Sequence, residues 1–132
     1  MTKEQLIEMA IEAMKKSYSP YSGFSVGAAL LCADGTVYTG CNIENASFTP
    51  TVCAERTAIF KAVSEGKRDF TAIAVVGGKG GELRGYAAPC GVCRQVMSEF
   101  CDLETFEVYL FDGKESKTYT LAELLPASFA LE

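Results

Sequence analysis

The 132-residue sequence contains no histidine, and this absence narrows the metal chemistry open to it. Zinc sites in proteins are built largely from cysteine and histidine side chains. Without imidazole, any site of that kind in this chain has to be built from thiolates. Six cysteines are present, so the sequence can still supply a set of sulfur ligands.

Clusters of basic residues and long apolar runs are also missing. The 12 Lys and Arg residues are scattered among 17 Asp and Glu residues, and the formal net charge is −5. This balance argues against general electrostatic binding to a nucleic-acid backbone. No stretch is long and apolar enough to span a membrane, and the N-terminus lacks the apolar core of a secretion signal. We therefore expect a cytoplasmic protein with no nucleic-acid or membrane partner, whose cysteines are thiols or metal ligands instead of disulfides.

Hydrophobic periodicity predicts one α/β domain over residues 1–132. Thr2 and Gln5 predict a capping box at the start of the first helix, and Gly66 predicts the end of the second. Five strands are predicted, at 26–32, 36–42, 70–76, 106–111 and 117–121. Further helices are predicted at 53–65 and 90–101, each between two single strands. Such helices imply parallel crossovers, so we expect a three-layer α/β/α arrangement around a mixed sheet of about five strands.

A glycine-rich segment at 77–81 invites comparison with a phosphate-binding loop. It lacks the Gly-Lys-Ser/Thr ending of a P-loop, and no helix is predicted directly after it. We therefore interpret it as a flexible connector.

Cys53, Cys90 and Cys93 are the candidate metal ligands. They lie at the predicted starts of two helices, where free N–H groups and the positive end of the helix dipole stabilise thiolates. The two residues between Cys90 and Cys93 place both sulfurs within one turn. Three ligands with an open fourth position are typical of catalytic zinc, whereas a structural site normally has four.

Two other interpretations of these cysteines stay open. Cys90 and Cys93 alone match the spacing of a thioredoxin-like redox pair, although such a pair needs no distant third cysteine. A structural zinc site would take its fourth ligand from the remaining cysteines. Those cysteines lack ligand spacing and are otherwise predicted to be ordinary buried residues; they are Cys32, Cys41 and Cys101.

Two charged residues follow Cys53 directly and suit a catalytic centre. Glu55 could take a proton from a water activated by the metal and pass it to a substrate. Three thiolates on Zn²⁺ carry a net charge of −1, which Arg56 could offset by donating hydrogen bonds to sulfur. The alternatives are a surface glutamate and a surface ion pair.

The combined motifs resemble cytidine deaminase of the small, homotetrameric, three-cysteine form. The core of the match is Cys-Ala-Glu-Arg-Thr-Ala at 53–58 with Pro-Cys-Gly-Val-Cys-Arg-Gln at 89–95. It extends to Phe-Ser-Val-Gly-Ala-Ala at 24–29, to Gly-Cys-Asn-Ile-Glu-Asn-Ala at 40–46 and to Glu-Leu-Leu-Pro-Ala-Ser-Phe at 123–129. The resemblance therefore covers almost the whole chain.

The resemblance implies hydrolytic deamination of cytidine and deoxycytidine to uridine and deoxyuridine, with release of ammonia, in pyrimidine salvage. It implies one zinc ion per chain, held by Cys53, Cys90 and Cys93, which activates a water. Glu55 is implied to remove the proton of that water and pass it to the ring N3, and then to move a second proton to the departing amine.

Further residue roles are implied by the same resemblance. Asn42 and Glu44 correspond to a pair that holds the ribose 3′-hydroxyl, and Ala54 belongs to the substrate-binding set. Phe24 corresponds to an aromatic side chain that lines the nucleoside pocket. Two residues correspond to contacts made across subunits of the homotetramer: the backbone of Ala46, and the ring of Phe129 packed on the pyrimidine of a neighbour's site.

The chain also departs from the family pattern, and other functions stay open. Phe48 stands where many members have tyrosine, which removes a hydroxyl from the sugar's 5′ side. Taken without the family, Phe24 and Phe129 would be interpreted as core residues. The alternative functions are deamination of another aminopyrimidine nucleoside and a non-catalytic zinc-binding interaction protein.

Overall fold

The computed structural model describes residues 1–131 and contains four helices and six strands in that range. In chain order they are α1 (Lys3–Met14), β1 (Ser25–Cys32), β2 (Val37–Cys41), α2 (Ala54–Ser64), β3 (Phe70–Lys79), β4 (Glu82–Leu83), α3 (Gly91–Phe100), β5 (Glu107–Phe111), β6 (Ser116–Thr120) and α4 (Leu121–Leu124). None of the helices in the described part of the chain has the length and apolar character needed to cross a lipid bilayer.

The strands form one mixed sheet in the order β2-β1-β3-β5-β6, and β4 pairs with β3 outside this path. Strand β1 is antiparallel to both β2 and β3, so β2 and β3 run in the same direction. Strand β5 is parallel to β3, and β6 closes the far edge antiparallel to β5. Helix α2 therefore connects two strands of the same direction, and the segment that contains β4 and α3 connects the parallel strands β3 and β5. The predicted mixed α/β sheet is confirmed, with a sixth short strand added.

The helices pack on both faces of the sheet and bury two apolar clusters. Helix α1 covers one face, where its Leu6, Ile7 and Ala10 pack with residues of β1 and β3. Its N-terminus carries the predicted capping box between Thr2 and Gln5. Helices α2 and α3 cover the opposite face and enclose a larger cluster that includes Cys93 and Met97.

A glycine in β2 lets helix α2 pack closely against the sheet. A side-chain carbon at Gly40 would come within 2.5 Å of the Ala54 carbonyl oxygen and 2.6 Å of the Ala58 nitrogen. Only glycine allows two backbones to approach to this distance. This contact sets the first turn of α2, and with it Cys53 and Glu55, directly against the sheet.

The interpretation of segment 77–81 as a flexible connector is wrong. Strand β3 continues through Gly77 and Gly78 to Lys79, and β4 pairs back onto it. The turn between the two strands consists of Gly80 and Gly81, whose φ angles are +60° and +81°. Consecutive positive φ values are the geometry of a tight hairpin turn. The glycines thus extend a strand and reverse the chain.

Candidate active site

Cys53, Cys90 and Cys93 come together at the N-termini of α2 and α3. Cys53 is the N-cap residue of α2 and Cys90 that of α3, and neither side chain caps its own helix. The sulfurs face one another instead: Cys53 Sγ and Cys90 Sγ are 3.7 Å apart, and all three sulfurs lie within 4.8 Å of one another. The predicted convergence of two helix starts on three thiols is confirmed.

The sulfur geometry fits zinc. A tetrahedral ion with Zn–S bonds of about 2.3 Å separates two of its sulfur ligands by about 3.8 Å, close to the 3.7 Å between Cys53 and Cys90. Within residues 1–131 no fourth cysteine or carboxylate oxygen joins the group. An open fourth position distinguishes a catalytic from a structural zinc site, and a third sulfur beside the Cys90–Cys93 pair argues against a simple redox pair.

The other three cysteines stand apart from this group. Cys32 and Cys101 are buried as predicted, whereas Cys41 is only half-buried, and its thiol donates to the Lys16 carbonyl oxygen at 3.4 Å. Desolvation raises the pKa of all three thiols, that of Cys101 to about 12. They therefore remain neutral thiols, which are poor metal ligands.

The three-sulfur cluster favours negative charge on Cys53. A hydrogen bond from Cys93, followed by contacts from Arg56 and Cys90, lowers the pKa of Cys53 to about 5. The pKa of Cys93 is raised, first by that same hydrogen bond to Cys53 and then by its burial. The pKa values of these two thiols therefore shift in opposite directions, because one hydrogen bond joins them.

Arg56 lies against the sulfurs. Its Nη2 donates to Cys53 Sγ at 3.4 Å, and its Nε is buried with no hydrogen-bond partner among the described residues. The Cys53 thiolate raises the pKa of Arg56, so the guanidinium remains charged. One positive charge in contact with the cluster offsets the −1 that three thiolates and Zn²⁺ carry together.

Glu55 is the one carboxylate buried in this region. It lies in the first turn of α2 and exposes 3% of its surface. Desolvation raises the pKa of Glu55 to about 7. A group that gains and loses a proton near neutral pH is suited to general acid–base catalysis, and its burial rules out the alternative of a surface glutamate.

A pocket of about 320 Å³ opens beside Glu55 and the sulfurs. Seven of the residues predicted from the sequence line it: Phe24, Asn42, Glu44, Cys53, Ala54, Glu55 and Cys90. Five further lining residues were not predicted: Val26, Thr51, Val52, Ala87 and Ala88. The pocket therefore combines one metal-binding wall with apolar walls and a few polar groups, as small-molecule sites generally do.

Asn42 and Glu44 supply the polar groups away from the sulfurs. The Asn42 side chain accepts from Val26 N–H at 2.9 Å and donates one N–H to the Phe24 carbonyl oxygen at 2.9 Å, which leaves its second N–H for a ligand. The Glu44 carboxylate accepts from the backbone N–H groups of Tyr21 and Ser22. Hydrogen bonds from Ser22 lower the pKa of Glu44, so it remains an ionised acceptor.

Phe24 is held at the pocket wall by small neighbours. A side-chain carbon at Gly77 would lie 2.7 Å from Cε2 of the Phe24 ring and 2.8 Å from the Ala87 side chain. The half-buried ring thus fills the space that glycine leaves on β3. It lines a cavity and is not an ordinary core residue.

Ala46 and Phe129 do not line this pocket. Ala46 is exposed in a turn, and Phe129 exposes 65% of its surface while its carbonyl oxygen accepts from Gln95 Nε2 at 3.1 Å. Phe48, also exposed, has a positive φ of 63° and packs edge-to-face on Tyr21. A single chain therefore leaves these residues outside its own site.

Comparison with known proteins identifies the family. Residues 1–109 match the model of the cytidine and deoxycytidylate deaminase zinc-binding region. The chain belongs to this deaminase family. Because the three sulfurs fit the metal named in that description, it is a zinc-dependent hydrolytic deaminase.

The similarity to individual known proteins extends over the whole length of this deaminase. The cytidine deaminase of Sporosarcina psychrophila is 50% identical over 100% of this chain and 94% of its own length. That of Halalkalibacterium halodurans is 51% identical over 100% of this chain and 97% of its own length. The crystal structure of the cytidine deaminase from Burkholderia pseudomallei has a TM-score of 0.90 at 49% identity, covering 98% of this chain and all of the other.

The unpredicted lining residues of the deaminase carry a weak signal in the sequence. Val52 exchanges two backbone hydrogen bonds of 3.0 Å with Ile43, which brings the segment before Cys53 beside the one that carries Asn42 and Glu44. Ala87 and Ala88 immediately precede Pro89 and Cys90. Residues directly before a metal ligand could therefore have been included in the predicted site.

We expect zinc to depend on Cys53, Cys90 and Cys93 alone. Replacing any one of them by serine removes a soft ligand, and the purified protein should contain far less than one zinc per chain. Serine at Cys32, Cys41 or Cys101 should leave the zinc content unchanged, because these thiols lie outside the cluster. Metal analysis of the six variants tests this, and loss of zinc in one of the last three would contradict the three-ligand site.

Proposed function

We propose that this deaminase, as one domain over residues 1–132, converts cytidine and deoxycytidine to uridine and deoxyuridine with release of ammonia. The observation that carries the proposal is a buried carboxylate, Glu55, lining the same pocket as two of the three clustered sulfurs. The similarity to proteins named cytidine deaminase over their full length supports the same substrate.

Glu55 moves the protons of the reaction. When zinc is bound by Cys53, Cys90 and Cys93, it supplies a Lewis acid that lowers the pKa of water. Glu55 takes a proton from the attacking water and delivers it to the ring N3 while oxygen adds to C4. It then carries a second proton to the departing amine. One water is consumed, the C4–N4 bond breaks, and ammonia leaves.

Asn42 and Glu44 are proposed to bind the sugar. Glu44 also borders a second pocket together with Tyr21 and Phe48, so it marks the end of the site away from the sulfurs. With the base held at the sulfurs, the sugar extends to this end. The free N–H of Asn42 and the Glu44 carboxylate can then donate to and accept from its hydroxyl groups.

The charges of the pocket favour a nucleoside over a nucleotide. None of the described residues that line either pocket is Lys or Arg, and both pockets contain the ionised Glu44. A 5′-phosphate at this end would face a carboxylate with no compensating cation. The same absence of cations and the net charge of −5 argue against a polynucleotide substrate.

The active site is proposed to be completed by neighbouring subunits in a homotetramer. Phe129 and Ala46 lie outside the pocket of their own chain, and the exposed aromatic side chains of Tyr21 and Phe48 line the second pocket, which shares Glu44 with it. Apolar surface of this kind favours association. We further place the enzyme in pyrimidine salvage in the reducing cytoplasm, because all three metal ligands have to remain thiolates.

Replacing Glu55 by Gln should retain zinc and remove most turnover. The amide keeps the shape of the side chain but cannot carry protons, so kcat should fall at least about a hundredfold. Ammonia release from cytidine and the zinc content of the same sample are measured together. Glu65→Gln, at the opposite end of α2, is the matched control and should be active. Near-normal turnover in zinc-loaded Glu55→Gln would exclude the proton-transfer role.

Replacing Phe129 by Ala should weaken substrate binding more than it weakens the fold. Loss of a ring that stacks on the pyrimidine costs about 1–3 kcal/mol, or roughly 5- to 150-fold in KM. Leu131→Ala removes another exposed apolar side chain two residues later and should leave KM unchanged. Sedimentation of the unmodified protein at micromolar concentration should show a tetramer. An active monomer, or an unchanged KM in Phe129→Ala, would contradict the shared site.

A further inference from the structure

Of the three sulfur ligands, Cys90 is the one that follows a segment without helix, strand or β-bridge. Cys93 is fully buried within α3, and Cys53 lies on the short connection that joins Val52 to α2. Cys90 is exposed and ends the segment 84–90, in which the structure has no helix or strand. The separation of the Cys53 and Cys90 sulfurs therefore depends on whatever fixes the turn at Pro89 and Cys90.

The Arg94 side chain fixes this turn. Its Nε donates to the Pro89 carbonyl oxygen at 2.7 Å, and its Nη1 donates to the Leu124 carbonyl oxygen at 2.7 Å. Pro89 is buried, and Leu124 is the last residue of α4, where carbonyl groups lack a partner within the helix. One half-buried guanidinium thus joins the residue before a metal ligand to the C-terminal segment of the chain.

We propose that Arg94 is a positioning residue for the zinc centre, which holds Cys90 in place by fastening its turn to the end of α4. The hydrogen bonds of the Arg94 side chain go to backbone carbonyls and not to a sulfur, and Arg94 does not line the pocket, so it acts through the backbone of Pro89. The planar guanidinium presents several N–H donors at fixed angles and can reach two carbonyl groups that point to it from different segments. A lysine at this position has all its donors on one nitrogen at the end of a flexible stem, so it lacks the separate, fixed donors that reach the two carbonyls.

Helix α3 also connects the zinc centre to the C-terminal segment. Gln95, the next residue of α3, donates to the Phe129 carbonyl oxygen. The helix that carries Cys93 therefore anchors the C-terminal segment at both Leu124 and Phe129. This inference rests on the proposed function only in that the three sulfurs hold zinc.

The test measures zinc release to a chelating dye in the absence of substrate. Arg94→Met keeps the apolar stem but leaves both carbonyl oxygens without a donor. We expect it to release zinc about 10- to 100-fold faster than the unmodified protein, the range for supporting residues of metal sites. The rate of zinc release from Arg94→Lys should lie between the rates of the unmodified protein and of Arg94→Met. Arg68→Met is the matched control, since Arg68 also donates to two backbone carbonyls, those of Val63 and Lys67, away from the sulfurs.

A second readout separates positioning from general loss of stability. Cobalt-loaded protein gives sulfur-to-metal charge-transfer absorption, which should change in Arg94→Met and stay unchanged in Arg68→Met. Unchanged release and unchanged absorption in Arg94→Met would overturn the proposal, as would equally fast release from Arg68→Met. If Arg94→Met does not fold, zinc release from Arg94→Lys is the test. Release from Arg94→Lys at the rate of the unmodified protein would then overturn the positioning role of Arg94. Failure of cytidine turnover leaves these readouts intact and would count against the proposed substrate alone.

Discussion

Three sulfurs that can bind one metal ion lie within 4.8 Å of one another, and the fold brings them together from two helix starts. Helices α2 and α3 cover the same face of the sheet, and Cys53 and Cys90 are their N-cap residues. Two positive helix ends therefore meet where negative charge has to accumulate. Gly40 lets the first turn of α2 approach the sheet, which fixes Cys53 in that position.

The same convergence sets the charge balance of the site. Arg56 lies one turn after Cys53 and contacts its sulfur, so a cation accompanies the three thiolates. Glu55, on the same turn, is buried where its charged form is disfavoured. A carboxylate that holds a proton near neutrality beside a metal is able to move protons between water and a base. Ligand, countercharge and proton carrier thus come from four consecutive residues at one helix start.

Local signals in the sequence were sufficient to predict the mixed sheet and the metal ligands. The alternation of helices and strands predicted the sheet, and the Cys53–Glu55 and Cys90–Cys93 spacings predicted the metal ligands. The turn at Gly80 and Gly81 was missed because a glycine run can form either a connector or a hairpin, and pairing with β4 decides between them. Val26 lies far in the sequence from any predicted metal ligand, and only the fold places it at the pocket. Phe129 could be assigned a role only through the family, since its ring is exposed and does not line the pocket of its own chain.

Deamination of a nucleoside by a three-thiolate zinc centre and the adjacent pocket is the function on which the other proposed roles depend. It is tested most directly by ammonia release from cytidine before chelation, after removal of zinc, and after zinc is restored, with cytidine 5′-monophosphate as the comparison substrate. We expect turnover of cytidine that disappears with the metal and returns with it, and little or no turnover of the nucleotide. Undiminished activity in the metal-free protein, or equal turnover of nucleotide and nucleoside, would contradict it.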